Sequence, residues 1–108
     1  MSHVNVPKGL FYYVGEKPPA LTLYYRDESG ALITTIAGAT LTAKCQLGDS
    51  GTEFDVGCTN TGDGSFTIDW PAGTSSFVAT GALRVDIQVE QGAYVWYMPR
   101  FAIEIRER

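Results

Sequence analysis

A single histidine limits the catalytic chemistry open to this sequence. That residue, His3, lies in the leading segment, away from the runs that read as strands. Because the one imidazole lies off the predicted strands, we expect no Ser-His-Asp triad and no Cys-His pair, and a multi-histidine metal site lacks its second ligand. We therefore expect no catalytic residues of these kinds and no metal site.

Carboxylates are the remaining candidates for acid–base chemistry. A pair such as Asp69 and Asp86 could in principle serve a glycosidase. Acidic residues on strands are more commonly solvated, however, and acidic residues beside glycine in loops, such as Asp27 and Asp63, are typical of tight turns. Their spacing matches no calcium-binding loop. The sequence therefore predicts a protein that is not an enzyme and carries no cofactor.

Aromatic residues give a stronger signal, and it points to binding. They occur in adjacent pairs such as Tyr24-Tyr25 and Trp96-Tyr97. Adjacent residues of a strand point to opposite faces, so one member of each pair must face outward. Outward aromatic residues can dock on another protein, stack on sugar rings or only stiffen the sheet by cross-strand pairing. The predicted interface consists of Tyr24, Tyr94, Trp96, Met98 and Arg100.

The last quarter of the chain supports this prediction. Residues 83–90 alternate strictly between apolar and polar, as in a strand with one dry face, and the chain then turns at Gln91 and Gly92. Carried through the final run, one alternation places Val95, Tyr97, Phe101, Ile103 and Ile105 inside. The same alternation turns Tyr94, Trp96 and Met98 outward. Pro99 cannot donate to a sheet ladder and therefore predicts a bend in this run.

Short turns rich in Gly, Pro and Asp divide the whole chain into runs of strand length. These runs are 10–14, 20–26, 31–36, 40–47, 52–58, 65–70, 82–90 and 93–105. No window has the apolar spacing of a helix, so we expect an all-β fold of seven to eight strands in one domain, 9–108. The preceding segment, 1–8, is predicted to be flexible or to dock elsewhere. The predicted inner faces consist of Leu21, Leu23, Tyr25, Leu41, Ala43, Cys45, Leu47, Phe66, Ile68 and Trp70.

The two cysteines lie on neighbouring runs. A hairpin loop at 48–51 would place Cys45 opposite Phe54, so that Cys45 and Cys58 share a face but not a rung. A disulfide requires Cα atoms within about 7 Å, which this register does not provide without a bulge. Reduced thiols in the core are therefore favoured, and a disulfide remains the alternative.

Charge and hydropathy exclude several partners. The net charge of −4 disfavours binding to nucleic acid. No apolar run approaches the roughly 20 residues that span a bilayer, and residues 1–8 lack the pattern of a secretory signal. We expect a soluble product that is synthesised in the cytoplasm, with no membrane or nucleic-acid partner.

Several phrases of the sequence occur in a familiar order. These are R-D-E-S-G-A at 26–31, G-A-T at 38–40, G-S-F-T-I-D-W at 64–70 and the closing I-E-I at 103–105. From Gly15 onward, the chain resembles the immunoglobulin-like N-terminal domain of upper baseplate proteins of tailed bacteriophages and related small tail and virion proteins.

This resemblance implies an immunoglobulin-like antiparallel β-sandwich that serves as a structural component of a virion tail, baseplate or head. Such a protein docks on other virion proteins, in a symmetric homo- or hetero-oligomer, after synthesis in the host cytoplasm. One alternative is a carbohydrate-binding module that recognises host cell-surface glycans through Tyr94 and Trp96. Another is a small regulatory or inhibitor protein directed at one bacterial target.

Overall fold

The fold is all-β, as predicted. A computed structural model describes residues 2–48, 51–73 and 75–108, and no helix occurs among them. The central residues of the predicted 48–51 turn, Asp49 and Ser50, lie outside the described residues. The strands are β1 (His3–Asn5), β2 (Phe11–Tyr13), β3 (Leu21–Arg26), β4 (Thr40–Leu47), β5 (Phe54–Asn60), β6 (Ser65–Ile68), β7 (Gly81–Gln91), β8 (Tyr94–Tyr97) and β9 (Phe101–Arg106).

The strands form one curled, mixed sheet in the order β1-β3-β6-β5-β4-β7-β9-β2, and β8 also pairs with β7. The curl is centred on β5, whose residues 54–57 pair with β4 while residues 58–60 pair with β6. All ladders are antiparallel except that of β2, which runs parallel to β9. One strand thus joins the two parts of the sheet.

The strand count differs from the prediction for three reasons. The leading segment 1–8 was expected to lie outside the sheet, but it contributes β1, which pairs with β3. The run 31–36 supplies only the bridge between Arg26 and Leu32. The final run divides at Pro99 into β8 and β9. One added edge strand, one lost strand and one divided strand together give nine strands among the described residues.

The core lies inside the curl and follows the predicted inner faces. In β3 and β7 every second residue is buried, and Leu23, Val85 and Ile87 are fully so. Burying a large apolar side chain stabilises a fold by about 1.5 to 3 kcal/mol. Several buried side chains come from connecting segments rather than strands, among them Ile36 and Phe77. The Phe77 ring stacks on Tyr12 at a centroid distance of 5.0 Å, which anchors the segment before β7 to the core.

Both cysteines are free thiols on the inner side of the sheet. Cys45 pairs with Phe54, which confirms the predicted register of β4 and β5. Burial raises the pKa of Cys45 and that of Cys58 to about 12. Both thiols therefore stay protonated at neutral pH and behave as small apolar groups.

Candidate docking edge and adjoining charged groove

A hairpin of β7 and β8 carries two of the predicted interface residues, Tyr94 and Trp96, and Met98 and Arg100 follow it directly. Gln91 pairs with Tyr94, so the turn consists of Gly92 and Ala93. Gly92 has a φ of 60°, a left-handed conformation that glycine adopts without the steric cost of a side chain. The hairpin therefore closes one residue later than the sequence pattern suggests.

The predicted outward orientation of Trp96 and Met98 is wrong. Trp96 pairs with Val89, whose side chain is buried, and its ring lies 6.1 Å from that of Tyr25 inside the curl. Met98 is only 2% exposed. Val95 and Tyr97, predicted to be inside, are 57% and 53% exposed. The alternation of β8 is therefore the reverse of the one predicted.

The reason for this reversal is a bulge at Pro99. The N–H of Met98 donates to the carbonyl of Ile87, whereas Phe101 pairs with Val85. Two residues, Pro99 and Arg100, thus lie opposite the single residue Asp86, as in a β-bulge. The extra residue reverses the side-chain alternation, so Trp96 and Met98 face inward before Pro99, whereas the odd-numbered Ile103 and Ile105 face inward after it.

The bulge also aims Arg100 across the outer face of the sheet. Its Nε–H and Nη2–H both donate to the Asp86 carboxylate, at 2.9 Å for the shortest contact of each nitrogen. This two-point contact is the strongest geometry that an arginine and a carboxylate adopt. Arg100 is exposed, as predicted, and it is held in place.

The exposed apolar side chains of the hairpin form what we term the hairpin patch, Tyr94, Val95 and Tyr97. Tyr94 is 75% exposed near the turn. Val95 and Tyr97 project from the outer face of β8, opposite Glu90 and Gln88 of β7. Tyr94 lies on the opposite face of β8 from Val95 and Tyr97, so the patch combines both faces of the strand near the turn. Exposed large apolar side chains that lie close together are characteristic of sites that bind a partner. Of the predicted interface, the patch retains Tyr94 and gains Val95 and Tyr97.

Tyr24 lies elsewhere on the molecule. It is 40% exposed on β3, where it pairs with Asn5 of β1 and Ser65 of β6. The guanidinium of Arg26 lies 5.5 Å from the centre of its ring, within the range of a cation–π contact. Strand β3 is not a neighbour of β8 in the sheet order. The structure therefore does not bring Tyr24 into the hairpin patch.

A groove of about 620 Å³ adjoins the hairpin patch on the outer face of β5, β4 and β7. Tyr97 lines it at one side, where its hydroxyl accepts a hydrogen bond of 3.2 Å from the Gln88 side chain. At the other end, Arg84 donates to the side chain of Gln46 at 2.7 Å and to the carbonyl of Gly48 at 2.9 Å. The groove is lined mainly by polar and charged side chains, and we term it the charged groove.

Opposite charges alternate across the charged groove from strand to strand. Asp55 of β5, Lys44 of β4 and Asp86 of β7 are direct cross-strand partners and lie in one row. Lys44 donates to Asp55 at 2.8 Å, and Arg100 completes the row beside Asp86. The hydrogen bond to Asp55 raises the pKa of Lys44, and the hydrogen bond to Asp86 raises the pKa of Arg100. The row thus neutralises its own charges.

The carboxylates named as candidates for catalysis are separated. Asp86 is engaged by Arg100, whereas Asp69 accepts hydrogen bonds from Thr59 and Thr67, both at 2.7 Å. In the part of the chain that the structure describes, no group of three His, Cys, Asp or Glu side chains could hold a metal ion. What the groove offers is therefore a set of hydrogen-bonding groups beside an exposed aromatic ring.

No helix of the described residues is long and apolar enough to cross a membrane.

The sequence contained a signal that would have identified the hairpin patch. A two-residue turn fixes which residues of β7 and β8 lie opposite each other. Every second residue of β8 then lies opposite a buried residue of β7. Val89 is buried, so Trp96 must face inward and Val95 and Tyr97 outward. Alternation read backward from Ile103 and Ile105 instead crosses the bulge and gives the opposite result.

The chain matches no family model, no curated protein and no solved structure. Its resemblance to phage virion domains therefore rests on the sequence phrases described above.

Proposed function

We propose that this chain is a non-enzymatic structural component of a tailed-bacteriophage virion. It would serve in the tail, the baseplate or the head, as a decoration or connector protein, after synthesis in the host cytoplasm. The observation that carries the proposal is the hairpin patch, in which Tyr94, Val95 and Tyr97 are exposed on a strand that pairs, among the described strands, with β7 alone. Such a surface favours docking on other proteins over chemistry on a small molecule.

The pairing of the strands supports the immunoglobulin-like sandwich that the resemblance implies. One layer would consist of β1, β3 and β6 with the end of β5, and the other of β4, β7, β8, β9 and β2 with the start of β5. Core residues of both layers, such as Leu23 and Val85, belong to one cluster. Packing of two sheet layers around a shared core is characteristic of such sandwiches, although here β2 pairs with β9 in parallel.

The charges of the chain are consistent with protein partners. The acidic balance of −4 works against binding to nucleic acid, and the alternating row of the charged groove leaves little net charge on that face. Other virion structural proteins, in a symmetric homo- or hetero-oligomer, are the partners proposed.

Labelling of phage particles tests the proposal directly. Antibodies against the chain are applied to particles purified from a lysate that contains it, and the particles are viewed by electron microscopy. Labelled particles support a virion protein and reveal its location. Unlabelled particles, with the protein free in the lysate and its epitope accessible, contradict the proposal.

A pair of variants tests whether the hairpin patch is the docking surface. Tyr94→Ala removes the most exposed aromatic ring of the patch, whereas Val78→Ala removes a side chain that is 78% exposed before β7, beyond the end of β7 opposite the hairpin. Both variants should fold normally. We expect Tyr94→Ala alone to reduce incorporation into particles, and equal incorporation of the two would exclude this surface.

The charged groove favours a second candidate, a carbohydrate-binding module. Tyr97 offers an exposed ring face, and Gln88, Gln46 and Arg100 offer donors nearby, a combination that suits a sugar. The stacking platform predicted from Tyr94 and Trp96 does not form, because Trp96 packs against Tyr25. Saturable binding of host wall polysaccharide by the isolated chain, lost in Tyr97→Ala, would favour this candidate.

A further inference from the structure

The outer edge of β8 carries backbone groups that no other strand of the described residues engages. Bonded and non-bonded rungs alternate in an antiparallel ladder. Because the N–H of Met98 donates to Ile87, the bonded rungs of the hairpin are those at Met98, Trp96 and Tyr94. Val95 and Tyr97 therefore direct their N–H and C=O groups away from β7, toward the free edge.

The same two residues carry exposed apolar side chains. Val95 and Tyr97 face outward beside Glu90 and Gln88, so the edge offers backbone hydrogen bonds and apolar surface at the same positions. An edge strand with these two properties is a template for pairing with another strand.

We propose that β8 pairs with β8 of a second copy of this chain, antiparallel and about a two-fold axis at Trp96. In this register Val95 lies opposite Tyr97 of the second copy, and Tyr97 lies opposite Val95. The outward backbone groups then meet at both rungs. Two such residues, placed symmetrically about one centre, give the self-complementary surface that a two-fold interface requires.

The side chains suit an identical partner. Strand β8 contains no charged residue, although the whole chain has a net charge of −4. Glu90 lies one strand away, beside Val95, so the Glu90 residues of the two copies would occupy different rungs. Each rung would instead join a valine to a tyrosine, and pairs of aromatic and β-branched residues stabilise antiparallel sheets.

Pro99 limits the length of the new ladder because it has no N–H to donate. A ladder of this length buries less than the roughly 1,200 to 2,000 Å² of a stable interface. The pairing is therefore weak in solution and becomes effective where an assembly holds copies side by side. The expectation that an assembly holds the copies together rests on the proposed function, and the pairing names one partner for the hairpin patch. The test of the pairing uses the purified chain alone.

Disulfide trapping tests the register. Equal amounts of Val95→Cys and ¹⁵N-labelled Tyr97→Cys are mixed and oxidised. Mass spectrometry of the intact dimers then distinguishes the three products by their isotope content. Opposed positions 95 and 97 can be bridged, whereas two copies of position 95 lie on a diagonal of about 7 to 8 Å. We expect roughly a fivefold excess of the mixed dimer over either single-variant dimer. Cys45 and Cys58, with pKa values raised to about 12, stay out of the exchange. Random pairing of equal amounts of the two variants gives a twofold excess of the mixed dimer, and an excess no larger than this would overturn the register.

Sedimentation equilibrium tests the association itself. The unmodified chain should form a dimer with a dissociation constant below about 1 mM, and Val95→Lys should raise that constant at least about tenfold. Val78→Lys, with the same change at an exposed valine beyond the opposite end of β7, should leave the dimer unchanged. A chain that stays monomeric, or equal effects of the two lysines, would overturn self-pairing. Particle labelling would still decide the virion role, so the two proposals can fail separately.

Discussion

The outer face of β4 and β7 and the outer face of β8 lie side by side on one sheet, but their side chains differ in kind. On β4 and β7, Lys44 and Asp86 share a rung and each also has an ion-pair partner of its own. On β8, Val95 and Tyr97 are apolar and more than half exposed. The first surface satisfies its own charges, whereas the second leaves apolar area in water.

This difference separates a surface whose charged side chains have partners within the fold from a surface whose apolar side chains are exposed to water. Cross-strand pairing of opposite charges suits a face that stays in solvent. Exposed valine and tyrosine on a free edge are costly in solvent unless a partner covers them. The contrast therefore favours the proposed docking role of the hairpin patch, whereas the row of ion pairs in the charged groove balances its charges without a partner.

The contrast between the two surfaces depends on which residues near Pro99 face inward. One pair of variants tests this orientation directly. Met98→Ala should lower the free energy of unfolding by about 2 to 5 kcal/mol, because it leaves a cavity in the core. Val95→Ala should change it by less than about 0.5 kcal/mol, since its side chain is exposed. Urea denaturation of the two variants measures both values. A larger loss of unfolding free energy in Val95→Ala than in Met98→Ala would mean that Val95 faces inward, as the alternation of the sequence predicts.

Sequence alone predicted most of the strands but not the orientation of β8. Period-2 alternation is a local property, so it identified the buried residues of β3 and β7 correctly. The alternation of Tyr94–Tyr97 depends on the bulge at Pro99, which is defined only by pairing with Asp86. The proline indicated a bend, and only the pairing showed that the bend inserts a residue.

The inner faces of β4 and β5 carry the two thiols and provide a test through pH. The folded-state pKa values of Cys45 and Cys58 are raised from 9.0 to about 12, so the folded state holds these protons more tightly than the unfolded state does. This contribution to stability is fully present below pH 9 and is lost as pH rises toward 12. At pH 10 the loss should be about 1 kcal/mol for each thiol.

Urea denaturation between pH 8 and pH 10 measures this loss, with Cys45→Ala and Cys58→Ala as controls for other groups that titrate in this range. Each variant should show a shallower decline of stability with pH than the unmodified chain. Identical slopes in all three proteins would mean that the thiols are not protected by the fold.

The smallest expected effect concerns the charged groove. Arg100→Ala should lower stability only slightly, because exposed ion pairs contribute little and salt screens them. A double-mutant cycle with Asp86→Ala, at low and high salt, isolates the interaction of the two residues. We expect a small coupling that decreases further in salt. A large, salt-insensitive coupling would mean that the bulge depends on this ion pair, and would weaken the contrast between the two surfaces.

Local patterns in the sequence determined the all-β class, the positions of most turns and the inner faces of the long strands. They could do so because side-chain alternation and turn preference act over a few residues. The tertiary structure decided the parallel pairing of β2 with β9, the burial of Ile36 and Phe77 and the exposure of Val95 and Tyr97. Each of these depends on contacts between distant segments, and one inserted residue at Pro99 is enough to exchange the two faces of β8.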